Sequence, residues 1–190
     1  MIAMPLLVTA PYAQTAAGAL KPPPDAREGT AATETWTDHL KIKTSVSVPV
    51  APPGDRVSLI AEIEPGARIH VYAPGADNYR VVTLTVAAHE GVRLLPMKYP
   101  ASEIYFFEPL NERIPVFQQP FKMIQELILE TGPKAQAAFR GKQRLTLSGT
   151  LDYQACDDRI CFNPVSVPLS WTIALRPEAT EPHGRTAAPR

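Results

Sequence analysis

The chain has 190 residues, 45% of them hydrophobic, which is enough for one domain with its own core and flanking tails. Its formal net charge at pH 7 is +0, so composition offers no electrostatic basis for binding nucleic acid or an anionic membrane. The 21 prolines are scattered between short apolar runs, which favours loops and strand ends over a helical bundle.

The N-terminal segment resembles the latter part of a secretory signal. Its apolar stretch, Ile2–Val8, is too short to span a bilayer, and small residues follow at Ala13, Ala17 and Ala19, where a signal peptidase could cut. A positively charged start is missing, so we expect residues 1–19 to be a truncated signal. No later segment is apolar enough to cross a membrane, and we therefore expect an exported protein without a stable membrane span.

Two segments are rich in alanine and proline and carry few bulky apolar residues. Residues 20–35 are predicted to form a disordered linker, and residues 177–190 a disordered tail. The folded domain is therefore predicted to span 36–176.

Within the predicted domain, apolar and polar residues alternate with a period of two. The segment 121–130 has helix-forming residue types, but Pro120 and the Thr-Gly-Pro at 131–133 confine it to strand length, so we predict a strand. The only helical candidate, 133–141, is short. Many short strands separated by proline and glycine turns predict an all-β antiparallel sandwich. The predicted strands are 40–48, 56–64, 68–73, 80–88, 121–130, 143–153 and 165–175.

A sandwich fills its interior with side chains, so chemistry is expected on its loops or at one edge. One predicted loop, YQACDDRICFNP (153–164), holds both cysteines of the chain. The other, 99–117, is long, is broken by prolines and carries three consecutive aromatic residues, Tyr105, Phe106 and Phe107.

The two cysteines are flanked by predicted strands, so they lie in or near a hairpin. Facing residues across a hairpin have Cα atoms about 4.5–5.5 Å apart, which permits a disulfide. As a structural staple, a loop this short would contribute only about 2 kcal/mol. As a metal site, two cysteines provide half of a tetrahedral zinc shell.

The histidines give the metal interpretation little support, because His39, His70, His89 and His183 show no ligand spacing. We therefore predict no metal and no cofactor. An exchanging thiol needs access and a partner sulfur beside it, and a hairpin loop at a sandwich edge provides both. The redox interpretation fits best, and the staple stays open as an alternative.

The cysteine loop and its flanking strands carry a family resemblance. The stretch SGTLDYQACDDRICFNPVSVPLSW (148–171) resembles the N-terminal periplasmic domain of the thiol:disulfide interchange protein DsbD and its free-standing relatives. The shared pattern is Tyr-Gln, a small residue, Cys, a short polar loop, Cys, a proline and a strand with Val-Pro-Leu. ARIHVYAPG (67–75) is similar to the family's early strand, and 99–117 stands where the family has its cap loop.

The resemblance implies an immunoglobulin-like sandwich in the bacterial periplasm, with Cys156 and Cys161 as a redox pair that relays electrons between thioredoxin-like partners. It implies that Cys161 meets those partners and that Tyr72 is a supporting aromatic residue. The chain departs from the family in the length of the cysteine loop and in lacking the acidic-aromatic cap motif. We expect the membrane electron carrier to be a separate chain. The residues implied as a cap over the disulfide are Tyr105, Phe106 and Phe107.

Two hypotheses of different classes follow. The first is a redox relay, a protein thiol–disulfide oxidoreductase without a prosthetic group. The second is a secreted binding or chaperone module in which the disulfide is structural. The reduction potential separates them, because structural disulfides lie below about −300 mV and resist the glutathione pool.

Overall fold

A computed structural model of the chain describes residues 32–176, and segments 1–31 and 177–190 lie outside it. The described residues contain one α-helix, α1 (Pro133–Phe139), and a 3-10 turn at Glu108–Leu110. No helix among them is long and apolar enough to span a bilayer. The strands are β1 (Thr33–Trp36), β2 (Leu40–Val46), β3 (Val50–Ala51), β4 (Arg56–Pro65), β5 (His70–Tyr72), β6 (Thr83–Val86), β7 (Val92–Leu94), β8 (Glu103–Phe107), β9 (Glu112–Phe117), β10 (Phe121–Leu129), β11 (Arg144–Tyr153), β12 (Ala155–Cys156) and β13 (Val165–Leu175).

These strands form three sheets. The first has the order β1-β2-β4-β10-β7, the second β3-β13-β11-β6 and the third β12-β5-β9-β8. Every pairing between these strands is antiparallel except that of β13 with β3.

The first and second sheets pack face to face and share one hydrophobic core. Alternate residues of β4, β10, β11 and β13 are buried, as the period of two requires. Two hydrogen bonds cross between the sheets: the Trp171 indole N–H donates to the Ile60 carbonyl (3.0 Å), and the Thr44 hydroxyl donates to the Ser170 carbonyl (3.0 Å). The prediction of an all-β, immunoglobulin-like antiparallel sandwich is confirmed.

Two details of the predicted organisation differ from the structure. Residues 99–117 do not form an irregular loop, because β8 and β9 pair as a hairpin in this stretch. The sequence of β8 does not show alternating apolar and polar residues, because both faces of this strand carry large apolar side chains. Pro115 fits inside β9 because its backbone polar groups face β5 and not β8: its carbonyl accepts from the Ala73 N–H (2.9 Å), just past the end of β5. The amide hydrogen that proline lacks would point to the same side, so the pairing of β9 with β8 is intact.

The second difference concerns the start of the folded region. Strand β1 begins at Thr33 and pairs there with Thr44, inside the segment assigned to the 20–35 linker. Threonine and tryptophan favour strands, which accounts for the extension of the sheet into TETW. The predicted signal segment, 1–19, and the predicted tail, 177–190, lie outside the described residues.

The ladder between β11 and β13 positions the cysteine loop. It runs from Arg144, opposite Ala174, to Tyr153, opposite Val165. The chain leaves this end of the ladder through β12, which pairs with β5 in the third sheet. The cysteine loop is therefore anchored on one side to the second sheet and on the other to the third.

We predict that Gly149→Ala lowers the free energy of unfolding by about 1–3 kcal/mol, because an added methyl group overpacks the sheet. A Cβ at Gly149 would lie 2.5 Å from the Thr85 carbonyl oxygen and 3.1 Å from Cζ3 of Trp171. Urea unfolding measures the loss. Ser148→Ala, at an exposed position of the same strand, is the control, and equal stability of the two variants would contradict the prediction.

Candidate functional site

The two cysteines form a disulfide. Cys156 and Cys161 face each other in an antiparallel bridge, with their Cα atoms 4.1 Å apart and their sulfurs 2.09 Å apart. The prediction that the pair lies within bridging distance at one end of the sandwich is confirmed.

Hydrogen bonds hold the turn between the cysteines independently of the sulfur bond. Oδ1 of Asp157 accepts from the backbone N–H groups of Arg159 (2.7 Å) and Ile160 (2.8 Å), and the Asp157 N–H donates to the Ile160 carbonyl (3.0 Å). The bonds from Ile160 and Arg159 hold the pKa of the Asp157 carboxyl below its usual range. Because the cysteines are only 5 positions apart, the disulfide restrains little of the unfolded chain.

The two sulfur-bearing residues differ sharply in exposure. Cys156 lies in β12 and is only 1% exposed, whereas Cys161 lies at the exposed edge of the loop. A thiolate arriving from solvent therefore meets Cys161 first. The geometry alone distinguishes an exposed cysteine from a buried one.

Tyr72 connects both sulfurs to the core of the third sheet. Its hydroxyl oxygen lies 3.1 Å from Sγ of Cys156 and 3.3 Å from Sγ of Cys161, and the residue is 3% exposed. Burial, followed by the nearby Tyr105 and Glu112, raises the pKa of Tyr72. The phenol therefore stays protonated near neutral pH and is placed to donate a hydrogen bond to sulfur.

Two residues behind Tyr72, Tyr79 and Glu112, were not found from the sequence. The Tyr79 ring stacks on Tyr72 with centroids 4.2 Å apart, and its hydroxyl donates to Oε2 of Glu112 (2.6 Å). This hydrogen bond is the main reason that the pKa of Tyr79 is raised to about 12. Nothing in the local pattern around either residue pointed to this contact, because it joins a loop to the distant strand β9.

His70 is a further residue of the site that sequence reasoning considered only as a metal ligand and set aside. It stands directly opposite Cys156 in the pairing of β5 with β12, and it is 4% exposed. Its ring packs on Tyr105 (centroids 4.7 Å apart) and meets Tyr72 edge to face (5.6 Å). The period of two in ARIHVYAPG was the available signal, because it places residues 70 and 72 on one face of a strand.

Burial also controls the charge of His70. Desolvation lowers the pKa of the imidazole, and the carboxylates of Asp158 and Asp157 oppose this effect without reversing it. Beside the closed disulfide, the imidazole is therefore neutral near pH 7.

The three aromatic residues of the predicted cap separate onto two faces of β8. Tyr105 and Phe107 are half-buried and line a cleft of about 90 Å³ together with both cysteines. Phe106 lies on the opposite face, is 43% exposed and packs under the guanidinium of Arg113 (5.2 Å). The structure thus brings Tyr72, Tyr105 and Phe107 to the disulfide and leaves Phe106 away from it.

Tyr105 also faces the acidic part of the cysteine loop. Desolvation raises the pKa of Tyr105, and the Asp158 carboxylate raises it further, by its charge and as a hydrogen-bond acceptor. Residues 32–176 contain no group of three or more His, Cys, Asp or Glu side chains that could hold a metal ion. The chemistry that this cleft offers is that of the sulfur–sulfur bond.

Comparisons with known proteins give the following results. No family model and no curated protein matches the chain. Among solved structures, it is similar to the N-terminal periplasmic domain of ScsB from Proteus mirabilis, with 11% identity and a TM-score of 0.48 over 70% of this chain and 47% of that chain. The match thus covers less than half of the ScsB chain.

Two further solved structures also match the chain. The GAE domain of yeast GGA1 and the GAE domain of GGA2p from Saccharomyces cerevisiae each have 11% identity and a TM-score of 0.37. These matches cover 72% and 73% of this chain and 94% of each of those chains.

We predict that the oxidised protein loses stability as the pH falls from about 7 to about 5. The folded state lowers the pKa of His70, so the unfolded chain, in which histidine titrates near about 6.5, takes up the proton first and gains free energy. His70→Gln should reduce this pH dependence. Urea unfolding of both proteins at several pH values measures it, and identical pH profiles would show that His70 does not contribute.

Proposed function

We propose that the chain is a periplasmic thiol–disulfide exchange domain that relays electrons between thioredoxin-like proteins through Cys156 and Cys161. The observation that carries the proposal is the asymmetry of the disulfide: Cys161 is exposed, whereas Cys156 is buried, with its sulfur beside the hydroxyl of Tyr72. The resemblance of the cysteine loop to the DsbD N-terminal domain supports the same function. In this proposal, the membrane electron carrier is a separate chain.

The exchange begins at the exposed sulfur. A thiolate of a reduced partner attacks Sγ of Cys161, the Cys156–Cys161 bond breaks, and its electron pair leaves on Sγ of Cys156. The partner's second thiolate then attacks its own sulfur in the mixed disulfide and releases Cys161 as a thiolate. The partner dithiol is oxidised by two electrons, and the cysteine pair is reduced by two.

Tyr72 assists this step at the leaving sulfur. A thiolate that forms in a buried site is unfavourable unless a hydrogen bond or a positive charge offsets its desolvation. The protonated phenol lies 3.1 Å from Sγ of Cys156 and can donate to the charge as it develops. Tyr79, held by Glu112, fixes the ring in this position.

Tyr105 serves as the cover over the cleft in this proposal, with Phe107 beside it. Both line the cleft on the side of the sulfurs, and their rings stack with centroids 6.5 Å apart. A cover of this kind slows exchange with small thiols, because it restricts the approach to the sulfurs. Phe106 has no place in this role, since it lies on the other face of β8.

The alternative function, a binding module with a structural disulfide, is favoured by a different observation. Strand β8 is an edge of the third sheet, and its outer face exposes Ile104 (60%) and Phe106 (43%). Exposed apolar residues on an unpaired edge strand are typical of surfaces that bind other proteins. The two functions are separable by whether the disulfide exchanges.

We predict that Tyr105→Ala speeds reduction of the disulfide by dithiothreitol or glutathione severalfold, because the cleft opens. Phe106→Ala is the matched control: it removes a neighbouring aromatic ring from the opposite face of the same strand and should leave the rate unchanged. Rates are measured by trapping free thiols with an alkylating reagent at timed intervals. Equal acceleration by both changes would refute a cover on the cleft side.

We predict that Cys156→Ser traps an oxidised thioredoxin-like protein as a mixed disulfide: the Cys161 thiolate attacks the partner's disulfide, and Cys156, which in the reverse exchange would attack Cys161 and displace the partner, is gone. Cys161→Ser should trap far fewer, since Cys156 is buried. Non-reducing electrophoresis after mixing each variant with a purified thioredoxin-like protein in its oxidised form counts the complexes. If neither variant forms them, the disulfide is structural and the binding module is the better account.

A further inference from the structure

We propose that His70 is the charge-balancing residue of the disulfide: it is neutral while the bond is closed and takes up a proton when Cys156 is released as a buried thiolate. The inference rests on the proposed exchange function and adds a residue and a proton to it. No motif in the sequence assigned this role to His70. The inference comes from its place opposite Cys156.

The position of His70 brings its imidazole close to the leaving sulfur. Residues that face each other across antiparallel strands have Cβ atoms about 4.5–5.5 Å apart and side chains on the same face. His70 and Cys156 are such a pair, and both line the same cleft. The two residues are 4% and 1% exposed, so water has little access to screen a charge on either of them.

Apart from the exposed guanidinium of Arg159, no other group that lines the cleft can supply a positive charge. Tyr72 and Tyr105 carry phenols with raised pKa values and are neutral in their protonated form. Asp157 and Asp158 are negative and oppose a thiolate. The charged and titratable groups around His70 are Tyr72 on β5, Tyr105 on β8, Asp157, Asp158 and Arg159 in the cysteine loop, and Arg68 just before β5.

The two arginines are less suitable than His70 for this purpose. Arg68 and Arg159 are both exposed and line a polar hollow with Asp157 and Asp158, and Arg159 also borders the cleft. Their charges are therefore shared with these aspartates and screened by solvent. Among the residues that line the cleft, His70 is the buried one that can become positive, by taking up a proton on its imidazole.

The proton and electron balance of the exchange is then complete. The partner thiolate bonds to Cys161, the electron pair of the broken bond stays on Cys156, and a proton from solvent binds His70. The buried site thus gains a thiolate and an imidazolium together and keeps its net charge. Reoxidation releases the same proton. The carboxylates of Asp158 and Asp157 both favour the protonated form of His70.

The test uses the full chain with Cys161→Ser, so that Cys156 is the only thiol. The ultraviolet absorbance of the thiolate is followed from about pH 5 to about pH 9. With His70 present, the thiolate should persist well below the ordinary thiol value of about 8.5. Adding His70→Gln should move the midpoint up by at least about one pH unit, which is a tenfold change in proton affinity.

His89→Gln in the same background is the control, because His89 packs on Phe139 of α1 rather than in the cleft. It should leave the thiolate midpoint where it was. An equal midpoint with and without His70 would overturn the inference. Because the measurement needs no partner protein, failure to trap a thioredoxin-like protein would count against the proposed function and leave this result unaffected.

A second measurement covers the case in which His70→Gln does not fold. The titration of the His70 imidazole is followed by NMR in the unmutated chain, oxidised and then reduced. Its midpoint should rise on reduction, because a thiolate replaces a neutral disulfide beside it. An unchanged midpoint would overturn the inference.

Discussion

The site depends on the pairing of two very short strands, β5 with β12. This pairing sets Cys156 opposite His70 and brings the Tyr72 hydroxyl within 3.1–3.3 Å of both sulfurs. Two residue pairs would not hold alone, since short isolated pairings are marginal in water. They persist because β12 follows directly from the long β11–β13 ladder, while β5 is held by β9 on its other side. The disulfide is therefore positioned by both the sandwich and the smaller third sheet.

A consequence of this arrangement is a cleft whose buried wall carries no fixed charge, since the charged residues that line it, Asp157 and Arg159, belong to the more exposed cysteine loop. Tyr72, Tyr79 and Tyr105 keep their protons because burial and neighbouring carboxylates raise their pKa values, and burial keeps His70 neutral. A neutral wall is compatible with a closed disulfide, because the disulfide has no charge. A thiolate released beside this wall would be stabilised only by the few groups that can donate a hydrogen bond or accept a proton.

The same arrangement explains why the disulfide is open on one side only. The turn from Asp157 to Ile160 is held by its own hydrogen bonds, so Cys161 can remain at the surface without loosening the loop. Cys156 belongs to a strand and is enclosed by the third sheet. Cys156 is buried and Cys161 is exposed because β12 ends at Cys156. The order of attack proposed for the exchange, with Cys161 first, depends on this difference.

The sequence by itself determined the all-β fold, most of the strands and the nearness of Cys156 to Cys161, because strand alternation and hairpin contacts are local along the chain. Through the family resemblance it also indicated Tyr72 as a residue beside the disulfide, and the run Tyr105, Phe106 and Phe107 as its cover. Only the tertiary structure decided that Phe106 faces away, since both faces of β8 are apolar and alternation cannot choose between them. It alone joined Tyr72 to Cys156, which lie 84 positions apart, and Tyr79 to Glu112. Such contacts depend on which strands pair, and that is settled by packing of the whole domain.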